Sequence, residues 1–246
     1  ILYNASAAVR FYCADSVDIA YTQSLYTITE QELAAGRSIL LVIISKSGTT
    51  TETIANAQLF TALLARYKKN YTDYMVIISD EGSALWQQGQ QAHIACLPIP
   101  TLVGGRFSAF SAVSLFPLGM LGVATDVLIE DAASVLPMLK SFDHNPAALS
   151  AAILYVQYQK GMVLHDSFFF NASMEAIGRW YRQLLAESIG KINNRHEPVG
   201  ITPTVSIGSV DLHSMVQLYL AGPRNRMTTF ITTQQKNDLQ LPSKSL

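Results

Sequence analysis

Ile39-Leu40-Leu41-Val42-Ile43-Ile44 runs directly into Ser45-Lys46-Ser47-Gly48-Thr49-Thr50-Thr51-Glu52-Thr53. This junction decides the fold class. An apolar run rich in β-branched residues, without polar alternation, predicts a strand buried on both faces of a parallel sheet. From Thr53 to Arg66, Ile54, Leu59, Leu63 and Leu64 recur at helical spacing, so a helix follows the polar loop. Thr49 and Glu52 have the spacing of a capping box, which sets the expected helix start.

The same alternation extends on both sides. Val9 to Cys13, Met75 to Ile78 and Ile94 to Leu97 read as strands, and Ser83 to Ala92 reads as a helix. Strand–helix–strand repetition implies an α/β fold with a doubly wound, mostly parallel sheet. A helical stretch from Asp131 to Gln159, broken near Asp143 to Pro146, connects to a second unit of the same kind. There, strands are expected at Ser167 to Phe170, Thr202 to Ile207 and Met227 to Thr232. Helices are expected from Met174 to Ile189 and from Asp211 to Leu220. Gly190 and Lys191 supply the usual stop, a glycine outside the helix and a cation near its negative end.

Composition narrows the class. Hydrophobic residues make up 49% of the 246 residues and charged ones 14%, with a formal net charge of −1. Such low charge fits elements buried on several sides. No basic or acidic block points to nucleic acid or to an anionic membrane surface. The stretch from Phe107 to Thr125 carries no charge, but Pro117, Gly119, Gly122 and several hydroxyl residues interrupt it. We read it as a core helix rather than a membrane span. Cys13 and Cys96 form neither a disulfide framework nor a metal-ligand spacing and read as reduced thiols of a cytoplasmic protein. The chain opens at Ile1 inside an apolar patterned stretch, which reads as an excised piece.

Four segments carry chemistry. The hydroxyl-rich loop after the buried strand is suited to a phosphate: backbone N–H groups at a helix N-terminus converge on an anion, and Ser45, Ser47, Thr50 and Thr53 can complete the ring. Capping alone explains Thr49 and Glu52 but not so many hydroxyls beside a lysine. Val103-Gly104-Gly105-Arg106-Phe107-Ser108 brings backbone close to something and ends in an arginine able to hold an anionic oxygen. A surface contact explains Arg106 equally well. Gln183 and Glu187 share a helix face, with the carboxylate at the dipole's unfavourable end, a placement suited to a proton-transfer group. Solvated glutamates are common there too. His213, in the first turn of a helix after a strand, is placed toward a ligand edge, and an incidental histidine beside a capping Asp211 is as good a reading.

Taken in order, Ser45 to Thr53, Val103 to Ser108, Trp180-Tyr181-Arg182-Gln183-Leu184-Leu185-Ala186-Glu187-Ser188-Ile189-Gly190-Lys191 and Asp211-Leu212-His213-Ser214 closely resemble the glucose-6-phosphate isomerase (phosphoglucose isomerase) family, with Gly48 resembling its prokaryotic branch. The resemblance implies two sugar-isomerase (SIS) domains, each an αβα three-layer unit and each incomplete here. They would span 1–128 and 146–246, with 129–145 as the connection. It implies that Ser45, Lys46, Ser47, Thr50 and Thr53 surround a sugar phosphate. It makes Glu187 the base moving a proton between C1 and C2, with Gln183 nearby and Arg106, beside Gly105, stabilising the enediol. His213 would assist ring opening from a neighbouring subunit of a homodimer. The implied substrate is a phosphorylated hexose, and no cofactor or metal is expected. Leu212 departs from the glutamine usual in bacterial members. The resemblance leaves two alternatives, a dual glucose/mannose-6-phosphate isomerase and a non-catalytic sugar-phosphate-binding SIS module. The second has no use for Arg106, Glu187 and His213 together.

Overall fold

The structure is a computed structural model and describes residues 9–234. The chain divides into two compact units, Ile1–Ser134 and Val135–Leu246.

In the first unit, α1 (Ile19–Ala34) precedes β1 (Leu41–Ile44), α2 (Thr51–Tyr67), β2 (Met75–Ser79), α3 (Ala84–Gln91), β3 (Ala95–Pro98), α4 (Ala112–Met120) and α5 (Thr125–Ser134). The strands form a parallel sheet in the order β1-β2-β3. Period-2 alternation in β2 builds three layers. Met75 and Ile77 join Ile43 and the helical residues Leu25, Phe60, Leu63 and Leu85 in one cluster. Val76 and Ile78 pack with Ile99 on the other face, against Ala112, Val113 and Phe116 of the uncharged helix α4. Among the described residues no helix is long and apolar enough to cross a membrane.

Two expectations fail here. The fully buried strand is β2, whereas β1 buries only Ile43 among its four residues, because β1 is an edge of the described sheet and β2 its centre. Val9 to Cys13 forms no strand, and Val9, Phe11 and Tyr12 are nearly half exposed. A β pattern becomes a strand only where a neighbouring backbone accepts its hydrogen bonds.

In the second unit, α6 (Pro146–Gln159) leads to β4 (Leu164–Phe169), α7 (Glu175–Ile189), the short pair β5 (Lys191–Ile192) and β6 (Pro198–Val199), then β7 (Thr202–Ile207), α8 (Val210–Ala221) and β8 (Arg226–Ile231). The main sheet runs β7-β4-β8, with β4 parallel to both neighbours. The central strand again faces two ways. His165 meets Tyr181 of α7 edge-on, and Phe168 meets Tyr219 of α8. The doubly wound reading therefore holds in both units. Helix α7 ends as expected, with Gly190 just outside it, in an extended conformation with φ −69° and ψ 93°. Its need is space, since a Cβ there would sit 2.9 Å from the Ala186 carbonyl oxygen. Lys191 does sit at the negative end, its Nζ donating to the Glu187 carbonyl at 2.9 Å.

Candidate functional site: a hydroxyl-rich loop in the first unit and Gln183, Glu187 and His213 in the second

In open parallel sheets, ligands meet the carboxyl ends of the strands, and three loops gather there in the first unit. The loop after β1 turns at Gly48, whose φ is +69°, and a Cβ at that position would lie 2.9 Å from the backbone nitrogen of Leu85. Only glycine fits both the backbone and the approach to α3. Ser45 is buried, and its Oγ lies 3.0 Å from Thr50 Oγ1. Thr50, not Thr49, is the N-cap of α2, and its side chain makes no capping bond. The expected capping box is absent because Thr49 Oγ1 instead donates to Ser47 Oγ at 2.9 Å. The first turn of α2 is thus uncapped by Thr50, with hydroxyls around it, an arrangement that favours an anion. Thr53 is the third residue of that helix and is half-buried.

Lys46 points elsewhere. Its Nζ donates to both carboxylate oxygens of Asp80 at 2.9 Å and to the Thr101 carbonyl at 3.3 Å. Asp80 follows β2 and Thr101 follows β3, so one ammonium ties the three loops together. Beneath them, Ser79 Oγ donates to the Ser45 carbonyl at 2.7 Å and Asp80 N to the Lys46 carbonyl at 3.1 Å. Sequence reasoning assigned no role to Asp80. The available signal was an ionisable residue at the carboxyl end of the strand next to the loop.

The Thr101 loop continues through Gly104 into a tight 3-10 turn, Gly105–Phe110. Arg106, the second residue of that turn, is half-buried, its guanidinium over the Phe107 ring at 4.6 Å from the centroid. A Cβ on Gly105 would meet nothing within 4 Å, so that glycine borders open space.

The second unit holds the other three candidates. Gln183 and Glu187 are exposed on one face of α7, with Gln183 Nε2 donating to Glu187 Oε1 at 2.9 Å. His213 is exposed in the first turns of α8. Asp211 does not cap α8. Its carboxylate reaches back to accept from Ile207 N at 2.6 Å. The Gln183–Glu187 pair and His213 are not brought together within the unit. The C-terminus of α7 lies at the start of β7, where a Cβ on Gly200 would be 3.3 Å from the Ile189 carbonyl oxygen. His213 follows the end of β7. A six-residue strand, at about 3.3 Å per residue or roughly 20 Å, separates the two edges. Glu187 and His213 therefore stand at opposite edges of one sheet.

Cys13 and Cys96 are free thiols, and burial pushes both up, away from the reactive thiolate. Among the described residues no group of three or more His, Cys, Asp and Glu is placed to hold a metal ion.

Comparisons with known proteins show the family. The sequence matches the phosphoglucose isomerase family over residues 15–245. It is 35% identical to glucose-6-phosphate isomerase of Methanocaldococcus jannaschii over 80% of this chain and 48% of that one. It is 34% identical to the glucose-6-phosphate isomerase of Campylobacter jejuni over 78% of this chain and 47% of that one. The chain thus spans about half the length of these relatives. Its fold is similar to that of a hypothetical protein of Thermus thermophilus, with a TM-score of 0.87 and 26% identity, over 98% of this chain and 57% of the other. It is also similar in fold to a glucose-6-phosphate isomerase of Chlamydia trachomatis, with a TM-score of 0.77 and 21% identity, over 94% of this chain and 45% of the other. An α/β chain with a hydroxyl-lined loop after β1, an arginine turn after β3 and a match across residues 15–245 belongs to the phosphoglucose isomerase family.

Proposed function

We propose that the intact protein interconverts glucose 6-phosphate and fructose 6-phosphate by proton transfer through a cis-enediol. The observation that carries this reading is the loop Ser45–Thr50, with buried Ser45, left-handed Gly48 and a helix start that Thr50 leaves uncapped, in a chain of this family. Ser45, Ser47, Thr50, Thr53 and backbone N–H groups hold the phosphate. Lys46 contributes positive potential from its place on Asp80 and ties the loop to the arginine turn.

Glu187 takes the proton from C2 of the open-chain aldose. The released electron pair forms the C1–C2 double bond, and the C1 oxygen becomes an enediol oxygen beside Arg106. Returning the proton to C1, with the O2 proton passing to O1, gives the ketose. General acid–base and electrostatic contributions of this kind are each worth about 10²–10⁴ in rate. Gln183 holds the Glu187 carboxylate through its amide.

His213 assists ring opening in the site of a second subunit, so the working enzyme is a homodimer. The placement of Glu187 and His213 toward opposite ends of the six-residue strand β7, roughly 20 Å long, supports this assignment. We place the enzyme in the cytoplasm, in keeping with its two free thiols.

A coupled assay on the intact protein with glucose 6-phosphate and fructose 6-phosphate tests the reading, with mannose 6-phosphate as a separate arm. Turnover between the first two is expected. Binding of the sugar phosphates without turnover would instead favour a sensing module and contradict the proposal.

A further inference from the structure

Asp166 lies in the middle of the central strand β4 and is 2% exposed. It accepts three hydroxyls: Thr204 at 2.5 Å and Ser206 at 3.1 Å on Oδ1, and Tyr219 at 2.7 Å on Oδ2. Ser206 and Tyr219 are themselves 3.1 Å apart. The guanidinium of Arg226 stands over the Tyr219 ring, 5.4 Å from its centroid. Burial and the bond to Asp166 push the Tyr219 hydroxyl up to about 12, so it is a donor throughout the working pH range. A polar group this deep in a sheet is harder to accommodate than an apolar one, and none of the three hydroxyls belongs to the site described above.

The geometry of α8 gives the group a task. No residue of this helix is buried. Two hydrogen bonds tie it to the sheet, one near each end. Asp211 accepts from Ile207 N at the first turn, and Tyr219 donates to Asp166 near the last. The Tyr219 ring adds an edge contact with Phe168, centroids 6.3 Å apart. A helix attached by apolar burial can slide by a fraction of a turn at small cost, whereas hydrogen bonds at both ends fix its height and rotation. His213 lies between these two attachments.

We infer that Asp166 is a positioning residue which, through Tyr219, fixes α8 and thereby the placement of His213. The inference rests on the ring-opening role proposed for that histidine. A misplacement of about 1 Å at a reacting group can cost on the order of 10²-fold in rate, so loss of one attachment is expected to slow turnover while leaving the phosphate grip intact.

The experiment is a double-mutant cycle in the intact protein, with kcat and KM for fructose 6-phosphate measured in Tyr219→Phe, His213→Ala and the double variant. The phenyl ring keeps the contact with Phe168 and removes only the hydroxyl. Tyr219→Phe is expected to lower kcat about 10-fold or more with KM unchanged. The double variant is expected to be no slower than His213→Ala alone. Thr204→Val, which removes a hydroxyl from the same carboxylate without touching α8, is expected to keep wild-type kcat. If Tyr219→Phe does not fold, Asp211→Ala enters the same cycle in its place. A defective His213→Ala beside an unaffected Tyr219→Phe overturns the inference alone. So does a double variant slowed by the product of both factors. Wild-type kcat in His213→Ala overturns the histidine's role and the inference with it.

Discussion

The ammonium of Lys46 lies 2.9 Å from each carboxylate oxygen of Asp80, across the gap between the β1 and β2 loops. Both side chains are about 30% exposed, at 30% and 28%. The pair therefore contributes about 1 kcal/mol to stability, toward the upper end for accessible ion pairs. Its larger effect is geometric, because the same nitrogen also binds the Thr101 carbonyl ahead of Arg106. Asp80→Ala is expected to raise KM for the sugar phosphate several-fold and to lower kcat as well, since both the phosphate loop and the arginine turn lose their tie. Steady-state kinetics on the intact protein check this; unchanged KM and kcat would remove Asp80 from the site.

Gly48→Ala should be worse than its size suggests. A left-handed alanine costs about 1–2 kcal/mol, and the added Cβ would lie 2.9 Å from both the Cβ and the backbone nitrogen of Leu85. We expect a loss of about 2 kcal/mol or more in chemical denaturation, with a raised KM. A variant as stable as wild type would show that the loop turns differently.

Buried His165 gives a pH signature. Burial pushes its imidazole below the ordinary value of 6.5, its ring nitrogen Nε2 lies 3.0 Å from Thr229 Oγ1, and its Nδ1 is buried without a partner. The unfolded chain then binds the proton more readily than the folded one, so stability rises with pH through this window and is lost as pH falls below about 6.5. Denaturant titrations from about pH 7.5 to about pH 5 should show this loss in wild type and a flatter profile in His165→Gln. Equal slopes would remove His165 as the cause.

The doubly wound fold was legible because most strands and helices carry their own periodicity: Thr202–Ile207 matches its expected bounds, and α3 is capped by Ser83 and Ala92 at the ends read from sequence. Helix α1 was not read, since only Leu25 and Leu33 are buried along it and so sparse a stripe gives no clear period. Its one clear signal is Asp18, whose carboxylate caps Tyr21 N. The pair β5–β6 is too short to show alternation. At the candidate site, residue types marked the phosphate loop, but the pairing of Lys46 with Asp80 depends on the register of two strands, Ile44 beside Ile78. The tie of Tyr219 to Asp166 likewise spans 53 residues, a relation no local pattern encodes.

The opposite placement of Glu187 and His213 predicts complementation. Glu187→Gln and His213→Ala, each nearly inactive as a homodimer, should regain activity when unfolded together and refolded. Every mixed dimer then has one site with both defects and one with neither, giving roughly half of wild-type activity for independent sites. Mixed dimers confirmed by mass yet inactive would place the histidine in its own subunit's site.

The central claim, that Glu187 moves the proton, is tested most directly by exchange at C2. Glu187→Gln keeps the shape of the side chain, and its bond with Gln183 can be remade through an amide, but it cannot accept a proton. In heavy water, wild-type enzyme should wash deuterium into C2 of glucose 6-phosphate, read by proton NMR, while Glu187→Gln binds the sugar with similar affinity and leaves C2 unexchanged. Exchange in the variant at a near wild-type rate would contradict the account and assign the base to another residue.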